Sequence, residues 1–294
     1  MAQIIDGKKI AQQVKQEVKE KIKQLNDKGI EVTLAVIIVG NNPASRVYVD
    51  SKKRDCAEIG IKSIEYALSE DTTEEQLLSL IEKLNNDDKI NGILVQMPLP
   101  KQIDESKVCK KILPFKDVDG FHPLNVGNLV TGIDERYTLV ACTPAGVIEM
   151  LERENIIIEG KHVVIVGRSN IVGKPLSYLF LKKNATVTIC HSRTKNLEKI
   201  CQTADILVAA VGKAKMIKEC FVKENAIIVD VGINRLEDSK KLVGDVDFDD
   251  VFNKAAYITP VPGGVGLMTR AMLMKNVLKA ALIQNNLLEE FIID

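Results

Sequence analysis

The sequence predicts an α/β fold with two domains, each built on a parallel β-sheet. Strand-length apolar runs alternate with amphipathic helix patterns through the first 120 residues, which is the order expected of βαβ units. A β-branched run over 163–166 ends in Gly167 and leads into another helix, as in Rossmann-type domains. The length of 294 residues suggests about two domains. We therefore expect a second, Rossmann-type domain after a connecting helix near residue 143.

Hydrophobic periodicity and turn residues predict the elements of the first domain. Asp6 caps the first helix, and the segment 72–76 has the residues of a capping box. The predicted elements are a helix over 7–28, a strand over 32–39, a helix from Pro43 to about Glu58, a strand over 61–67, a helix from the capping box to Leu84 and a strand over 93–96. Residues 113–139 lack periodicity and predict a long loop, which is uncommon unless it carries function.

The second domain is predicted to begin with a helix that has Thr143 as its N-cap and Pro144 in its first turn. Its predicted strands are about 162–167, 185–190, 205–211, 226–231 and 256–259. A final helix over 269–285 follows the last strand, and we expect it to pack back on the first domain.

Composition and charge exclude several classes of protein. The 40 basic and 40 acidic residues cancel, so no basic surplus indicates binding to nucleic acid or to an anionic membrane. The longest apolar runs have the length of strands, and the polar, lysine-rich start does not resemble a secretory signal. The six cysteines are scattered without a C-x-x-C pair, and the three histidines are widely spaced. We expect a cytoplasmic protein with reduced thiols and no bound metal.

The segment over 163–175 is the most informative motif of the chain. A strand, a turn at Gly167 and a helix start place the pyrophosphate of a dinucleotide at a helix N-terminus. The loop departs from G-x-G-x-x-G, because Ser169 holds the second glycine position and Gly173 comes one residue late. A parallel α/β domain whose glycine merely permits a tight turn is the alternative interpretation.

The end of the next strand indicates which dinucleotide binds. An NAD site has a carboxylate about 20 residues after the glycine loop, where it accepts hydrogen bonds from the ribose hydroxyls. This chain has Ser192 and Arg193 there, and Arg168 lies in the glycine loop. A guanidinium offers a planar fork of donors to phosphate oxygens, so the sequence predicts NADP, with its 2′-phosphate, over NAD. Solvated loop residues would explain the same pattern without a ligand.

Polar side chains in three segments of the first domain are candidates for chemistry. Tyr48 and Lys52 lie four residues apart and share one face of a helix, and Gln96 ends an apolar strand. Asp117 and Asp119 follow in the long loop. If these groups converged, they could bind a polar heterocycle and move protons. Each also has a structural explanation as a partly wet aromatic, a solvated charge, a strand-end cap or a turn residue.

The segment over 259–269 contains two prolines and three glycines between a strand and a helix. Such a backbone approaches another group closely or adopts special dihedral angles. A rigid interdomain connector would account for the same composition.

Together these segments resemble the bifunctional methylenetetrahydrofolate dehydrogenase/methenyltetrahydrofolate cyclohydrolase family over essentially the whole chain. The matching segments, in family order, are Tyr48-x-x-x-Lys52, Gly92–Pro100, Lys116–Gly120, Cys142–Pro144, Gly167–Pro175, Asp230–Asn234 and Pro260–Gly266. One departure is visible, because Leu267 stands where the family usually has proline. That change concerns the rigidity of a loop and removes no reacting group.

The resemblance implies two domains with the substrate cleft between them. A folate-binding catalytic domain would comprise residues 1–140 plus 269–294, and an NADP-binding Rossmann domain residues 141–268. The substrate would be a folate, and the chain would form a homodimer through its NADP domains. The family oxidises 5,10-methylenetetrahydrofolate with NADP and hydrolyses the 5,10-methenyl product to 10-formyltetrahydrofolate.

The resemblance also implies roles for individual residues. Lys52 would be the catalytic group of the hydrolysis, Gln96 would position it, Tyr48 would hold the substrate and Asp119 would anchor the pterin. Further contacts to the folate would come from Pro262, Gly263 and Gly264. The NADP-binding residues would be Gly167, Arg168, Ser169, Ser192, Arg193 and Ile233.

Three other functions fit parts of the sequence. A different two-domain NADP oxidoreductase, acting on a hydroxy or amino acid, would leave Tyr48, Lys52 and Gln96 without a shared purpose. A dehydrogenase without hydrolase activity would not need Lys52 and Gln96. A non-catalytic NADP sensor would need none of these polar side chains.

Overall fold

The computed structural model describes residues 1–236 and 241–291, which divide into two compact units. The lysine unit, which contains Lys52, comprises Gln13–Val140 together with the chain from Arg270 onward. The glycine-loop unit, which contains Gly167, comprises Met1–Gln12 and Ala141–Thr269.

The helices and strands follow one another along the chain with short connections. In chain order they are β1 (Gln3–Ile4), α1 (Gly7–Asp27), β2 (Thr33–Val39), α2 (Pro43–Ile59), β3 (Lys62–Leu68), α3 (Glu74–Asn85), β4 (Gly92–Val95), α4 (Glu105–Lys111), α5 (Pro123–Thr131), α6 (Cys142–Arg153), β5 (His162–Val166), α7 (Gly173–Lys182), β6 (Thr186–Cys190), α8 (Leu197–Cys201), β7 (Ile206–Ala209), β8 (Ile227–Asp230), β9 (Asn234–Arg235), β10 (Leu242–Val243), α9 (Phe248–Val251), β11 (Tyr257–Ile258) and α10 (Val265–Gln284).

The lysine unit is built on a three-stranded parallel sheet in the order β3-β2-β4. Every residue of the central strand β2 is buried, which is why its sequence is a continuous apolar run. On one face of the sheet Ile37 packs with Leu77 of α3 and Val108 of α4 in a single apolar cluster. Parallel strands put the carboxyl ends of β2 and β4 at the same edge of the sheet, where the residues that follow them meet.

The glycine-loop unit is built on a six-stranded parallel sheet in the order β1-β11-β8-β7-β5-β6. From β5 the chain moves to β6 on one side and then returns to β7 on the other side. This reversal opens a crevice at the carboxyl ends of β5 and β7, where open α/β sheets bind their ligands. The predicted α/β class with two parallel sheets, the second of Rossmann type, is confirmed.

The starts of helices α1 and α3 follow the predicted chemistry. The Asp6 carboxylate accepts hydrogen bonds from the amides of Lys8 and Lys9 at the start of α1, at 3.0 Å each. Thr73 and Gln76 form the reciprocal hydrogen bonds of the predicted capping box at α3. These caps satisfy amides that have no partner within the helix.

The N-terminal residues differ from the predicted division, which grouped residues 1–12 with the chain up to residue 140. Strand β1 instead pairs in parallel with β11, at the edge of the glycine-loop unit's sheet. Ala2 is buried in the apolar cluster of that sheet. A strand of two residues has no periodicity to read, and its partner lies about 250 residues away in the sequence. Pairing of this kind is decided by the tertiary structure.

Three other predictions are wrong in detail. The interval over 113–139, predicted as a loop, contains helix α5, which begins at Pro123 with the His122 side chain as its cap. Thr143 is not an N-cap, because α6 begins at Cys142 after Ala141 and has no side-chain cap. The Thr143 hydroxyl is hydrogen-bonded to the Thr269 hydroxyl at 2.9 Å. Helix α10 begins at Val265, four residues before the predicted start.

Helix α10 belongs mainly to the lysine unit, as predicted for the final helix. The Asn276 amide donates hydrogen bonds to the carbonyls of Val118 and Val140, at 2.8 Å each. None of the described helices has the length and apolar character needed to cross a bilayer.

Candidate active site and cofactor loop

Helix α2 carries two of the candidate residues. Asn42 caps its start by accepting the amide of Ser45 at 3.2 Å, and Pro43 occupies its first position. Tyr48 and Lys52 follow one turn apart, on the same side of the helix. Tyr48 is 43% exposed.

Lys52 and Gln96 are in direct contact. The Lys52 ammonium donates a hydrogen bond of 3.1 Å to Gln96 Oε1. The other end of the same amide donates to the Met97 carbonyl at 2.7 Å, which holds the oxygen towards the lysine. Gln96 follows β4 directly, and its backbone amide donates to the carbonyl of Ile37 in β2 at 2.8 Å. The sheet therefore places the amide that orients Lys52.

Asp119 lies in the loop after this strand, close to the same lysine. Residue 117 forms an isolated parallel bridge with Ile93 of β4, which carries the following residues past the carboxyl end of the strand. Burial raises the pKa of Asp119, and the positive charge of Lys52 lowers it in opposition. Within the lysine unit, Lys52 and Gln96 are therefore in direct contact, and the charge of Lys52 acts on Asp119.

Asp117 has a different role from its neighbour. Its carboxylate accepts hydrogen bonds from the amide of His122 at 2.7 Å and from the Asn125 side chain at 3.1 Å. Burial raises the pKa of Asp117 to about 7. Since its Oδ2 atom is engaged by two donors at the start of α5, Asp117 orders the loop and leaves Asp119 as the carboxylate of the candidate site.

Lys116, in the same segment, also has a structural role. Its buried ammonium donates hydrogen bonds of 2.8–3.1 Å to the carbonyls of Leu84, Asn85 and Asp87, at the end of α3. A cation at a helix C-terminus satisfies carbonyls that have no partner within the helix. The segment therefore uses Lys116 and Asp117 to hold Asp119 in place.

Sequence reasoning missed Asp55, which lies three residues after Lys52 on α2. Its carboxylate is 3% exposed and accepts two hydrogen bonds from the Arg270 guanidinium, at 2.6 and 2.8 Å. Lys15 of α1 lies 3.3 Å from the same carboxylate. These contacts tie α2 to α1 and α10. The sequence signal that could have revealed Asp55 is an acidic residue on the apolar face of the amphipathic helix α2.

The glycine loop of the other unit has the tight backbone expected of a phosphate-binding turn. Gly167 has a φ of 143°, and a Cβ atom there would collide with the Ala210 carbonyl. A Cβ atom on Gly173 would collide with the carbonyl of Gly167. The Ser169 hydroxyl accepts the Val172 amide at 3.1 Å and shapes the turn before α7. Backbone amides at the start of this helix can therefore approach a phosphate closely.

The end of β6 carries the predicted determinants of the 2′-phosphate. Ser192 and Arg193 are both exposed, and the amide of Arg193 donates to the His191 imidazole at 3.2 Å. Arg168 is exposed in the glycine loop that follows β5, the strand paired with β6. The segment over 191–196 contains no carboxylate that would accept the ribose hydroxyls of NAD. The residues present therefore fit NADP.

The proline- and glycine-rich loop is packed within the glycine-loop unit. A Cβ atom on Gly7 would collide with the backbone of Gly264, and a Cβ atom on Gly266 would lie 3.0 Å from the Ile233 side chain. Gly263 has a φ of 109°, which favours glycine. Close approach explains the composition of this loop better than a simple connector does, and it brings Ile233 beside the start of α10.

The departure at residue 267 lies in the first turn of α10. The Leu267 amide donates a hydrogen bond of 3.2 Å to the carbonyl of Gly264. A proline at the same position would lack this donor, although the first turn of a helix tolerates proline. The change from proline to leucine therefore preserves the helix start.

Within the described residues, no group of three or more histidine, cysteine, aspartate or glutamate side chains is arranged to hold a metal ion.

Comparison with known proteins identifies the family. Residues 5–119 match the model of the tetrahydrofolate dehydrogenase/cyclohydrolase catalytic domain, and residues 141–285 match the model of the NAD(P)-binding domain of the same family. The chain belongs to the tetrahydrofolate dehydrogenase/cyclohydrolase family. The catalytic-domain match lies mainly in the lysine unit, and the NAD(P)-binding match lies mainly in the glycine-loop unit.

Individual relatives agree with this assignment. The bifunctional protein FolD of Caldicellulosiruptor saccharolyticus is 67% identical over 279 residues, which cover 95% of this chain and 100% of the relative. The crystal structure of the bifunctional FolD enzyme of Campylobacter jejuni has a TM-score of 0.93 at 50% identity, covering 96% of this chain and 99% of the other. The Trypanosoma brucei enzyme, complexed with NADP and an inhibitor, has a TM-score of 0.90 at 38% identity, covering 95% and 97%.

Proposed function

We propose that this chain oxidises 5,10-methylenetetrahydrofolate with NADP and hydrolyses the 5,10-methenyl product to 10-formyltetrahydrofolate. Membership of the family supports both activities. The observation that carries the proposal is the hydrogen bond between Lys52 and Gln96, with Asp119 beside the lysine. These groups suit a reaction that must bind a pterin and handle a proton, as the hydrolysis does.

The dehydrogenase step depends chiefly on alignment. NADP, when bound, accepts a hydride from the methylene carbon of the folate. The substrate's own ring nitrogen donates the electron pair that expels the hydride, so the protein needs no strong base. Asp119 anchors the pterin by charge-assisted hydrogen bonds, and Tyr48 holds the folate next to it. Holding the substrate in a reactive geometry is the contribution of the protein to this step.

The cyclohydrolase step needs proton transfer as well as alignment. Water adds to the methenyl carbon and loses a proton, and the ring then opens as the C–N bond to one ring nitrogen breaks and that nitrogen gains a proton. We assign the handling of these protons to the Lys52 amine, which Gln96 holds in position through the 3.1 Å hydrogen bond.

We assign NADP binding to Gly167, Arg168, Ser169, Ser192, Arg193 and Ile233. The tight turn at Gly167 supports a pyrophosphate site, and the two exposed arginines support the 2′-phosphate site. We assign further folate contacts to Pro262, Gly263 and Gly264, because close packing at Gly264 and the positive φ of Gly263 restrict the conformation of this loop. These residues belong to the glycine-loop unit, and their contact with the folate is a proposal.

A direct assay tests the proposed function. The purified chain is supplied with 5,10-methylenetetrahydrofolate and NADP, and the methenyl product is followed by its near-ultraviolet absorbance. In a second reaction, the loss of added methenyltetrahydrofolate measures the hydrolysis without NADP. The proposal would be refuted if both reactions proceeded only at their uncatalysed rates. If only the first reaction were catalysed, the chain would be a dehydrogenase without hydrolase activity, and the role that we assign to Lys52 would be wrong.

NADP should be preferred over NAD by at least about tenfold in kcat/KM, which corresponds to about 1.4 kcal/mol. Arg193→Gln should lower kcat/KM for NADP and leave that for NAD nearly unchanged, because only NADP has the 2′-phosphate. Lys199→Gln removes an exposed positive charge from α8 and serves as the control. Equal efficiency of the wild-type enzyme with both cofactors would contradict the proposed 2′-phosphate site.

We also propose a homodimer that forms through the glycine-loop units. Strand β6 is an edge of their sheet, and Ile189 on this strand is 38% exposed. Leu181, at the end of α7, is 51% exposed. Exposed apolar side chains next to an edge strand are typical of a surface that pairs with another chain. Sedimentation should give twice the mass of one chain, and Ile189→Lys should shift it towards the monomer.

We further propose that the enzyme acts in the cytoplasm. All six cysteines are free thiols, which suits a reducing compartment.

A further inference from the structure

The proposed mechanism does not use two buried carboxylates of the glycine-loop unit. Asp230 ends strand β8, and Asp245 follows strand β10. Their exposures are 3% and 0%. A buried carboxylate is costly unless hydrogen bonds replace its water, so the partners of these two show what they hold in place.

Asp245 holds the loop that follows β7. One of its oxygens accepts the amides of Val211 at 2.6 Å and Gly212 at 2.9 Å. Its other oxygen accepts the amide of Lys213 and the side-chain amide of Asn234, at 2.9 Å each. A single carboxylate therefore binds three consecutive backbone amides and connects their loop to the residue after Ile233.

Asp230 in turn holds the backbone of Asp245. It accepts the amides of Gly232, Asp245 and Val246, at 2.9 Å each. A Cβ atom on Gly244 would collide with the Asp230 carboxylate, and one on Gly232 would collide with that of Asp245. These contacts leave Asp245 a single position relative to β8.

The loop that Asp245 shapes lies at the crevice of the sheet. Strand β7 pairs with β5, and the two strands end side by side where the strand order reverses. The backbone of Ala210 and that of Gly167 are so close that no side chain fits between them. The Val211–Lys213 segment therefore begins directly beside the proposed pyrophosphate turn.

We propose that Asp245 is a positioning residue for NADP binding. It fixes the Val211–Lys213 loop, and through Asn234 the segment that contains Ile233, before the cofactor arrives. A site already in its binding conformation loses less conformational entropy on binding, so the affinity for NADP is higher. The inference rests on the proposed function for the identity of the cofactor.

Asp245→Asn tests this role with little change in size. The asparagine carries an NH₂ group where one oxygen accepts amides, so two donors lose their acceptor and face another donor. We expect the Kd for NADPH, measured by fluorescence titration, and the KM for NADP to rise about tenfold or more. The hydrolysis of methenyltetrahydrofolate, which consumes no NADP, should stay within about twofold of wild type. Asp249→Asn, at an exposed carboxylate in α9, is the matched control and should change neither quantity.

The two activities separate the possible outcomes. Loss of NADPH affinity with intact hydrolysis supports the positioning role. Unchanged NADPH affinity in a folded Asp245→Asn protein overturns it, and so does an equal loss of both activities. If this variant fails to fold, Asn234→Ala is tested instead, because it removes the hydrogen bond from the Asn234 side chain to Asp245. The proposal then requires that the Kd for NADPH rises while the hydrolysis stays intact. A wild-type chain that lacks dehydrogenase activity would instead refute the proposed function, whatever the variants do.

Discussion

Lys52→Met should lower methenyltetrahydrofolate cyclohydrolase activity by about two to four orders of magnitude, the usual contribution of a general acid or base. Methionine keeps an unbranched apolar side chain of similar length but has no amine. The variant therefore loses the hydrogen bond to Gln96 and the amine to which we assign proton transfer. The dehydrogenase should retain a measurable fraction of its rate, because hydride transfer depends mainly on alignment by Tyr48 and Asp119.

The separation of activities has a direct readout. With methylenetetrahydrofolate and NADP, the variant should accumulate the methenyl product, which wild type converts onward. Lys53→Met is the matched control, because Lys53 is the next residue of α2 and pairs with Glu65 at 2.7 Å, away from Gln96. It should retain both activities. A folded Lys52→Met protein that hydrolyses the methenyl substrate as fast as wild type would show that Lys52 is only a solvated helix charge.

Asp119→Asn should impair both reactions, because the same pterin anchor serves both substrates. The loss of a charge-assisted hydrogen bond should cost about 1.5–3 kcal/mol of folate binding, or about a 10- to 150-fold rise in Kd. Removing this carboxylate also removes the negative charge beside Lys52, so the hydrolysis should be affected more strongly than the oxidation.

Calorimetry with the folate substrate measures this effect without turnover. Asp88→Asn changes an exposed carboxylate in the loop after α3 and provides the control for a lost negative charge. Unchanged folate affinity in Asp119→Asn would make Asp119 a loop residue like its neighbour Asp117, and the pterin anchor would have to be another group.

The three alternative functions that fit parts of the sequence are not equally compatible with the structure and the family comparison. Membership of the tetrahydrofolate dehydrogenase/cyclohydrolase family rules out an oxidoreductase that acts on hydroxy or amino acids, and it rules out a non-catalytic sensor. A dehydrogenase without hydrolase activity would have no use for the contact between Lys52 and Gln96. The roles of the individual residues remain predictions that the proposed variants test.

Local sequence determined much of the architecture. The buried run of β2 and the capping box at Thr73 appear in the structure as predicted, because burial pattern and caps depend on residues close in the chain. The tight turn of the glycine loop could also be predicted, because few residue types permit such a turn between a strand and a helix. The alternation of strand and helix patterns also predicted parallel βαβ units, because connections of helical length separate the strands.

Other features depended on partners that are distant in the sequence. Strand β1 pairs with β11, about 250 residues away, so its two residues have no local signal. Lys52 and Gln96 are 44 residues apart, and only the sheet register places the amide beside the amine. Asp117 and Asp119 have the same chemistry, but the tertiary structure engages the first with α5 and leaves the second beside Lys52. Asp245 had no recognisable motif, because its role comes from three backbone amides of another loop. Sequence thus determined most of the elements and candidate residues, whereas hydrogen bonds between distant segments decided what each carboxylate and amine does.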